Sequence, residues 1–305
     1  MAESTLSRIA SSDALYSFVR SPTAVISAVI AVLIFLGAVG APLLAPHDPF
    51  DLASLNLLDA DTPPAWSTGG SSSFLLGTDN QGRDMLSAIL YGLRISLVVG
   101  VSAVLLSLAI GVTLGLISGY AGGRVDSIIM RIADVQLSFP AILIALLIDG
   151  IARGLLPRDE QDAQSLYVLI LSIGISGWVQ FARTVRGATM VERNKEYVQA
   201  ACLIGIGPFT VLRRHILPNV MGPVLVLATI HLATAIITEA TLSFLGVGIP
   251  PTTPSLGTLI RIGNSYLFSG EWWITIFPGI TLILLALSVN LLGDWLRDTL
   301  NPKLN

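Results

Sequence analysis

The stretch EYVQAACLIGIGPFTVLRRHILPN, from Glu196 to Asn219, interrupts a chain that otherwise consists largely of long apolar segments. Its first part is amphipathic, and glycine and proline break its middle. Two adjacent arginines then precede the next apolar run. A segment of this kind is neither apolar enough to cross a membrane nor large enough to form a soluble domain. It therefore separates the spans before it from those after it, and its role is the main question that the sequence poses.

The composition is that of a membrane protein. The chain has 305 residues, of which 53% are hydrophobic and 12% charged, and a mean hydropathy of +0.76. Soluble domains carry about 25% charged residues, so we predict a polytopic membrane protein. The net charge of -3 gives no indication of nucleic-acid binding. The single cysteine, Cys202, excludes an internal disulfide or cysteine cluster, and the three scattered histidines do not predict a metal site.

Six segments are predicted to span the membrane, because a bilayer core of about 30 Å requires about 20 apolar residues of helix. They cover residues 22–45, 96–117, 127–148, 165–182, 216–238 and 272–293. The first is longer than the apolar run of a signal peptide, so it is interpreted as an uncleaved anchor. Residues 1–21 then form an N-terminal segment, and residues 22–305 form one six-span domain.

The distribution of Lys and Arg predicts the orientation. If the N-terminus is cytoplasmic, twelve of these residues lie inside: Arg8, Arg20, Arg124, Arg131, Arg183, Arg186, Arg193, Lys195, Arg213, Arg214, Arg297 and Lys303. Five lie outside: Arg83, Arg94, Arg153, Arg158 and Arg261. We therefore predict that both termini are cytoplasmic, that residues 46–92 form an outside loop, and that residues 183–215 form a cytoplasmic loop.

The predicted outside loop begins with clusters of Pro, Gly, Ser and Asp, which are typical of irregular structure. It is either a solvated connector or a docking surface for an external partner. Near its end, Thr78 or Asp79 is a candidate helix cap. The helix that follows would carry apolar side chains on one side and lie on the membrane interface; these are Met85, Leu86, Ile89, Leu90 and Leu93.

Within the opening stretch, helical spacing places four residues on one apolar stripe: Tyr197, Ala200, Ala201 and Ile204. Gly205 and Pro208 then break the helix, and Pro218 lies early in the next span, where its missing N–H costs little. The segment is interpreted either as an ordinary interfacial helix or as a socket for a cytoplasmic protein. In the second case it would transmit the movement of that protein to the fifth span.

The same stretch resembles the EAA loop of ABC-importer permeases, in which E-A-A, three residues, G and nine residues precede I-x-L-P. Here Ala200-Ala201, Gly205 and Leu217-Pro218 match, whereas Gln199 replaces the glutamate and His215 the isoleucine. Four further stretches are similar to dipeptide and oligopeptide permeases: LGTDNQGRD with YGLRISL, GYAGGRVDSIIMRIADVQLSFP, EATLSFLGVGIPP and NLLGDWLRDTLNP. The chain is identified as a C-type member of that family.

The resemblance implies an all-α integral membrane protein with the type I (MetI-like) importer fold. It implies a non-catalytic subunit that imports short peptides across the bacterial inner membrane by alternating access. The implied partners are a second, B-type permease, two ATPase subunits that hold ATP and Mg²⁺, an extracytoplasmic binding protein, and lipid. No P-loop is present in this chain. The implied coupling residues are Glu196, Tyr197, Gln199, Ala200, Ala201, Ile204, Gly205, Arg213, Leu217 and Pro218.

Ionisable groups near or within spans are candidates for the translocation path, and here these are Asp149, His231 and Glu239. Alternatively, the two acids reach water at the span ends and the histidine is a packing residue. The motif Gly174-Ile175-Ser176-Gly177 also allows a rhomboid-like serine protease with His231 as the base, although small residues equally favour helix packing. A third hypothesis is a proton-coupled transporter that uses Glu239 and Asp149. Pro140 is expected to kink the third span.

Overall fold

A computed structural model of the protein describes residues 12–50, 55–157 and 159–300. Much of the predicted N-terminal segment, residues 1–11, lies outside this range, as do Arg158 and Lys303. The described chain is helical. Its helices are α1 (Ser12–Arg20), α2 (Pro22–Val39), α3 (Ala41–Leu44), α4 (Met85–Ala121), α5 (Gly123–Leu137), α6 (Ala141–Leu155), α7 (Gln161–Glu192), α8 (Glu196–Leu203), α9 (Pro208–Val211), α10 (Leu217–Phe244), α11 (Leu256–Tyr266) and α12 (Trp273–Leu300).

The number of apolar helices confirms the predicted class. Five are long and apolar enough to cross a membrane: α2, α4, α7, α10 with the turns before it, and α12. A sixth crossing is obtained when α5 and α6 count as one bent span. Helix α2 ends at Val39, before the predicted end of the first span at residue 45. Helix α7, by contrast, extends beyond its predicted span to Glu192, so residues 183–192 of the predicted cytoplasmic loop are helical.

Helix α4 is longer than the sequence predicted. It has 37 residues, or roughly 55 Å at 1.5 Å per residue. A separate interfacial helix beginning at Met85 is therefore wrong, because these residues form the first turns of the span. Their apolar side packs against α11 and α12 instead of lying on lipid. Capping by Thr78 or Asp79 is also wrong, since the Asp84 side chain accepts the N-terminal hydrogen bond from Ser87 N at 2.9 Å.

Three glycines one turn apart bring α4 and α7 into close contact. A Cβ atom at Gly111, Gly115 or Gly119 would lie within 2.7 Å of atoms in α7. Small residues at this spacing allow membrane helices to approach along their backbones. Ser107 Oγ continues the contact by donating to Gly174 O at 2.7 Å. This tightly packed pair supports the other helices.

The third span is broken rather than kinked. Helices α5 and α6 meet at an angle of 96° at the break that contains Pro140, so the bend lies at the residue where a kink was expected, but it interrupts the helix. Gln136, near the end of α5, holds that helix against α7. Its Nε2 donates to Ser176 O at 2.9 Å, and its Oε1 accepts from Trp178 Nε1 at 2.8 Å. These contacts stabilise the bend between α5 and α6.

Residues 55–84 and 245–272 fold together at one end of the bundle, and we call them the cap region. Trp273 Nε1 donates to Thr78 O at 2.9 Å, and Arg83 Nη1 donates to Pro251 O at 2.9 Å. Thr78 and Arg83 are almost fully buried. Buried hydrogen bonds therefore fix the part around residues 78–84 to the ends of the spans, whereas Leu58 and Trp66, earlier in the segment, are exposed.

Candidate functional site

Residues 196–216 form a helical hairpin at the end of the bundle opposite the cap region. Helix α8 ends before Gly205, whose φ of +83° permits the turn. Helix α9 follows, and a π-helical turn over Leu212–Ile216 continues into α10. Because helical backbone runs from Pro208 to Phe244, a displacement of the hairpin also displaces α10.

The predicted apolar stripe does not form one surface. Ala201 is 4% exposed and Val198 is buried beside it, whereas Ile204 is 77% exposed. The buried pair belongs to the core cluster that also contains Val211 and Ile216. Packing of α8 against α9 and the start of α10 therefore uses Ala201, which the sequence had assigned to the same surface as Ile204.

The exposed apolar surface lies instead at the turn of the hairpin. Leu203 is 87% exposed, and Ile204 and Phe209 are similarly accessible; we call these three residues the hairpin tip. Sequence reasoning missed Leu203 and Phe209. The available signal was a pair of large apolar residues immediately before Gly205, where turns usually carry polar residues. Three exposed apolar side chains at one turn provide a contact surface.

A hydrogen-bond network joins α7, α8 and α10 at the base of the hairpin. Tyr197 donates its hydroxyl proton to the carboxylate of Glu192. Asn219 Nδ2 donates to Tyr197 Oη at 2.9 Å and to His215 O at 2.7 Å. Lys195 Nζ lies 2.8 Å from Glu192 Oε2. Burial, followed by the hydrogen bond to and charge of Glu192, raises the pKa of Tyr197 to about 12, so the phenol remains a donor at neutral pH.

The other predicted coupling residues lie on the hairpin or at its junction with α10. Leu217 is half-buried at that junction. The exposed ones are Glu196, Gln199, Ala200, Gly205, Arg213 and Pro218. Arg193, just before the hairpin, donates from Nη1 to Gly119 O and Tyr120 O, both at 3.0 Å. The base of the hairpin is thus also fixed to the end of α4.

Asp149 and Glu239 are fully buried, so the expectation that they reach water is wrong. Asp149 Oδ2 lies 2.7 Å from Arg153 Nε, and Arg153 Nη2 donates to Val247 O at 2.8 Å. Glu239 accepts hydrogen bonds from Ser96 Oγ at 2.7 Å and Ser243 Oγ at 2.8 Å. The first carboxylate ties α6 to the cap region through Arg153, and the second ties α10 to α4. No cluster of three metal-ligating side chains occurs among the described residues.

His231 is partly exposed on α10. Its Nε2 lies 2.9 Å from Gln180 Oε1, and its ring packs against Phe181 with centroids 4.7 Å apart. Ser176 Oγ donates instead to Ile173 O, one turn earlier in its own helix, at 2.8 Å. The serine and histidine thus have other partners, and the nucleophile–base pair that a protease requires is not assembled.

A polar face runs along α10 from His231. Thr234, Thr238 and Thr241 follow it at helical spacing and are exposed or half-buried. Their hydroxyls donate to carbonyl oxygens one turn earlier, at 3.1, 2.8 and 2.7 Å. This internal hydrogen bonding leaves oxygen lone pairs available on the surface. Together with the neighbouring Gln180, we call these residues the α10 polar face.

Comparisons with known proteins agree with this architecture. The model of the family described as binding-protein-dependent transport system inner membrane component matches residues 111–305. The model for the N-terminal TM domain of oligopeptide transport permease C matches residues 11–64.

Three relatives align with nearly the whole chain. The di/tripeptide transport system permease protein DppC of Pseudomonas aeruginosa is 38% identical over 94% of this chain and 90% of its own length. The oligopeptide transport system permease protein OppC of Bacillus subtilis is 39% identical over 96% of this chain and 89% of its own. The glutathione transport system permease protein GsiD of Pectobacterium atrosepticum is 37% identical over 94% and 89%.

Among solved structures, an inward-facing form of the MetNI methionine ABC transporter is similar, with a TM-score of 0.52 and 20% identity. The match covers 70% of this chain and 95% of that chain. This likeness confirms the expected importer fold, while the two family models and the full-length relatives define the family. The chain belongs to the binding-protein-dependent transport system inner membrane components, the permease subunits of ABC importers, in its oligopeptide-permease C branch.

Proposed function

We propose that this chain is one of two different transmembrane subunits of an ATP-driven importer of short peptides, and that separate subunits hydrolyse the ATP. The observation that carries the proposal is the hairpin tip, an exposed apolar surface joined by continuous helical backbone to α10. Relatives named as permease proteins of di/tripeptide, oligopeptide and glutathione transport systems support the substrate class.

The hairpin tip would dock into a groove on an ATPase subunit. A short amphipathic helix with large apolar side chains suits such a groove, and Leu203 and Phe209 are positioned to enter it. ATP and Mg²⁺ would be held by the ATPase subunits. When these subunits close, the hairpin would move with them, and the Tyr197 network would pass the movement to α7 and α10.

The excess of Lys and Arg near the hairpin supports the orientation in this proposal. The hairpin and both termini would face the cytoplasm, and the cap region would face the outside of the bacterial inner membrane. An extracytoplasmic binding protein would then deliver the peptide at the cap region. Lipid would cover the apolar outer sides of α2 and α12, where Phe35 and Ile283 are exposed.

The translocation path would run along the α10 polar face, between this chain and the second permease. Polar groups are costly in hydrocarbon, so exposed ones in a span usually face water or another protein. Lone pairs on Thr234 and Thr238, together with His231, would accept hydrogen bonds from a passing peptide. Asp149 and Glu239 would reach this path only after rearrangement, because both are buried within the chain.

Affinity purification of this chain from its native membranes in mild detergent tests the proposal. We expect a second six-span permease and ATPase subunits in a fixed ratio. After reconstitution into liposomes, the complex should take up a labelled dipeptide only with ATP and the binding protein. Recovery of the chain alone, or only as a homo-oligomer, would contradict the proposal.

A further inference from the structure

The side chains of the α10 polar face recur at a regular rise along the helix. Thr234 and Thr238 are four residues apart, which corresponds to about 6 Å at 1.5 Å per residue. His231 lies three residues before Thr234, and Thr241 lies three residues after Thr238, so the series extends over about 15 Å. Because helical spacing keeps the four side chains on one side of α10, they form a ladder of polar groups on the surface of this chain.

This ladder presents hydrogen-bond acceptors. Thr234 donates its hydroxyl proton to Ile230 O, and Thr238 donates its own to the carbonyl oxygen of Thr234. Each hydroxyl proton is therefore already used, while lone pairs on each hydroxyl oxygen remain available to a ligand. His231 continues the pattern. Its Nε2 lies 2.9 Å from Gln180 Oε1, and an amide oxygen opposite Nε2 requires the proton on Nε2, so the other ring nitrogen is an acceptor.

The spacing of these acceptors matches the backbone of an extended peptide. In extended backbone each residue rises about 3.3 Å and successive residues face opposite sides, so the N–H groups on one side recur every ~6.6 Å. This repeat is close to the separation of about 6 Å between Thr234 and Thr238. Acceptors at this repeat are complementary to backbone N–H groups, and such hydrogen bonds do not depend on which side chains the peptide carries.

We propose that Thr234 and Thr238 select the substrate by its backbone: they accept hydrogen bonds from two nitrogen donors on one side of an extended peptide, whatever its side chains. This inference rests on the proposed function, which places the translocation path along the α10 polar face. The terminal ammonium group also serves as a donor, so a tripeptide offers its first and third nitrogens to the ladder. From His231 to Thr241 the ladder is long enough for about four extended residues, which suits short peptides.

The test compares three labelled substrates in the full complex, reconstituted into liposomes with ATP inside and saturating binding protein outside. They are trialanine, an analogue with an ester in place of its second peptide bond, and an analogue with an ester in place of its first. The second-bond ester lacks the third nitrogen donor, which faces the ladder, whereas the first-bond ester lacks the donor that faces away. The ratio of initial uptake rates gives the preference for trialanine over each ester. The selectivity of the binding protein contributes equally in every permease variant, so it cancels when these ratios are compared.

The double variant Thr234→Val, Thr238→Val keeps the shape of both side chains and removes both acceptors. Its preference for trialanine over the second-bond ester should shrink by about 2- to 10-fold, the effect of one neutral hydrogen bond, while its preference over the first-bond ester stays at the wild-type value. The double variant Thr234→Ser, Thr238→Ser retains the hydroxyls and should keep both preferences. The matched control is Thr113→Val. Thr113 is exposed on α4 and also donates to the carbonyl oxygen one turn earlier, at 2.7 Å, so its replacement should change neither preference.

The midpoint of thermal unfolding shows whether each variant folds. If the double valine variant unfolds early, the single variants Thr234→Val and Thr238→Val replace it, and at least one should show the reduced preference. Unchanged preferences in the folded variants would overturn the inference and leave the proposed function intact. Equal shrinkage for both esters would also overturn it, because an extended peptide requires the alternation, as would equal shrinkage in Thr113→Val. If the wild-type complex takes up no trialanine with ATP and binding protein present, both the proposed function and this inference are overturned.

Discussion

Replacing Leu203 by aspartate should separate docking of the ATPase from folding of the permease. The side chain is 87% exposed, so its loss removes almost no contact from the folded chain. In the docked complex, burial of a leucine contributes about 1.5–3 kcal/mol. Since about 1.4 kcal/mol corresponds to a factor of ten in affinity, we expect Leu203→Asp to weaken ATPase binding by roughly 10- to 100-fold.

The assay is a titration of purified ATPase subunits onto nanodiscs that contain the two permeases, read out by biolayer interferometry. The matched control is Leu58→Asp, which changes a leucine that is 91% exposed in the cap region and should leave ATPase binding unchanged. Ala201→Arg is unsuitable, because Ala201 is buried and the variant would disturb packing. Equal affinities for wild type and Leu203→Asp, or equal losses in both variants, would refute the docking role of the hairpin tip.

Three further predictions concern other parts of the chain. Tyr197→Phe removes the hydroxyl that joins Glu192 to Asn219. We expect normal ATPase binding but severalfold fewer peptides transported per ATP hydrolysed. A normal ratio of peptide transported to ATP hydrolysed would contradict the role of this network. Glu239→Ala leaves two serine hydroxyls without their acceptor and should destabilise the permease by roughly 1–3 kcal/mol. The loss should be seen as a lower midpoint of thermal unfolding. An unchanged midpoint would argue against a stabilising role for Glu239. Burial, followed by the charge of Asp61, raises the pKa of Glu271. The raised folded-state pKa means that this group's contribution to stability is present at low pH and is lost as pH rises through the folded pKa. Protection factors of amides in the cap region, which are corrected for the base catalysis of exchange, should therefore fall with pH in wild type more than in Glu271→Gln, and equal pH dependence would refute it.

The sequence was sufficient for the helical class because each span has a long apolar run, and bilayer thickness alone sets that length. It was less informative about helix ends. Residues around Met85 have the spacing of an interfacial helix, but the same spacing also suits a helix packed against α11 and α12. Only the tertiary contact distinguishes the two, and that contact depends on residues more than 160 positions away along the chain.

The hairpin illustrates the same limit for the candidate site. Helical spacing predicted one apolar stripe with Ala201 and Ile204, but Ala201 is buried and Ile204 is exposed; the break at Gly205 was visible in the sequence. Which side of α8 is buried depends on Val211 and Ile216, which return after the turn.

The length of α10 has a consequence for how the two ends of the molecule influence each other. With 28 residues, it is roughly 42 Å long, and it begins at the hairpin and ends at the cap region. A rotation of about 10° around its midpoint would move each end by about 4 Å, in opposite directions. Suppose that the ATPase and the binding protein each bind one tilt of α10 better than another. Thermodynamic reciprocity then requires that each changes the affinity of the other for the permease by the same factor. A measurement of how much the binding protein raises the affinity of the ATPase for the permease would then also give how much the ATPase raises the affinity of the binding protein.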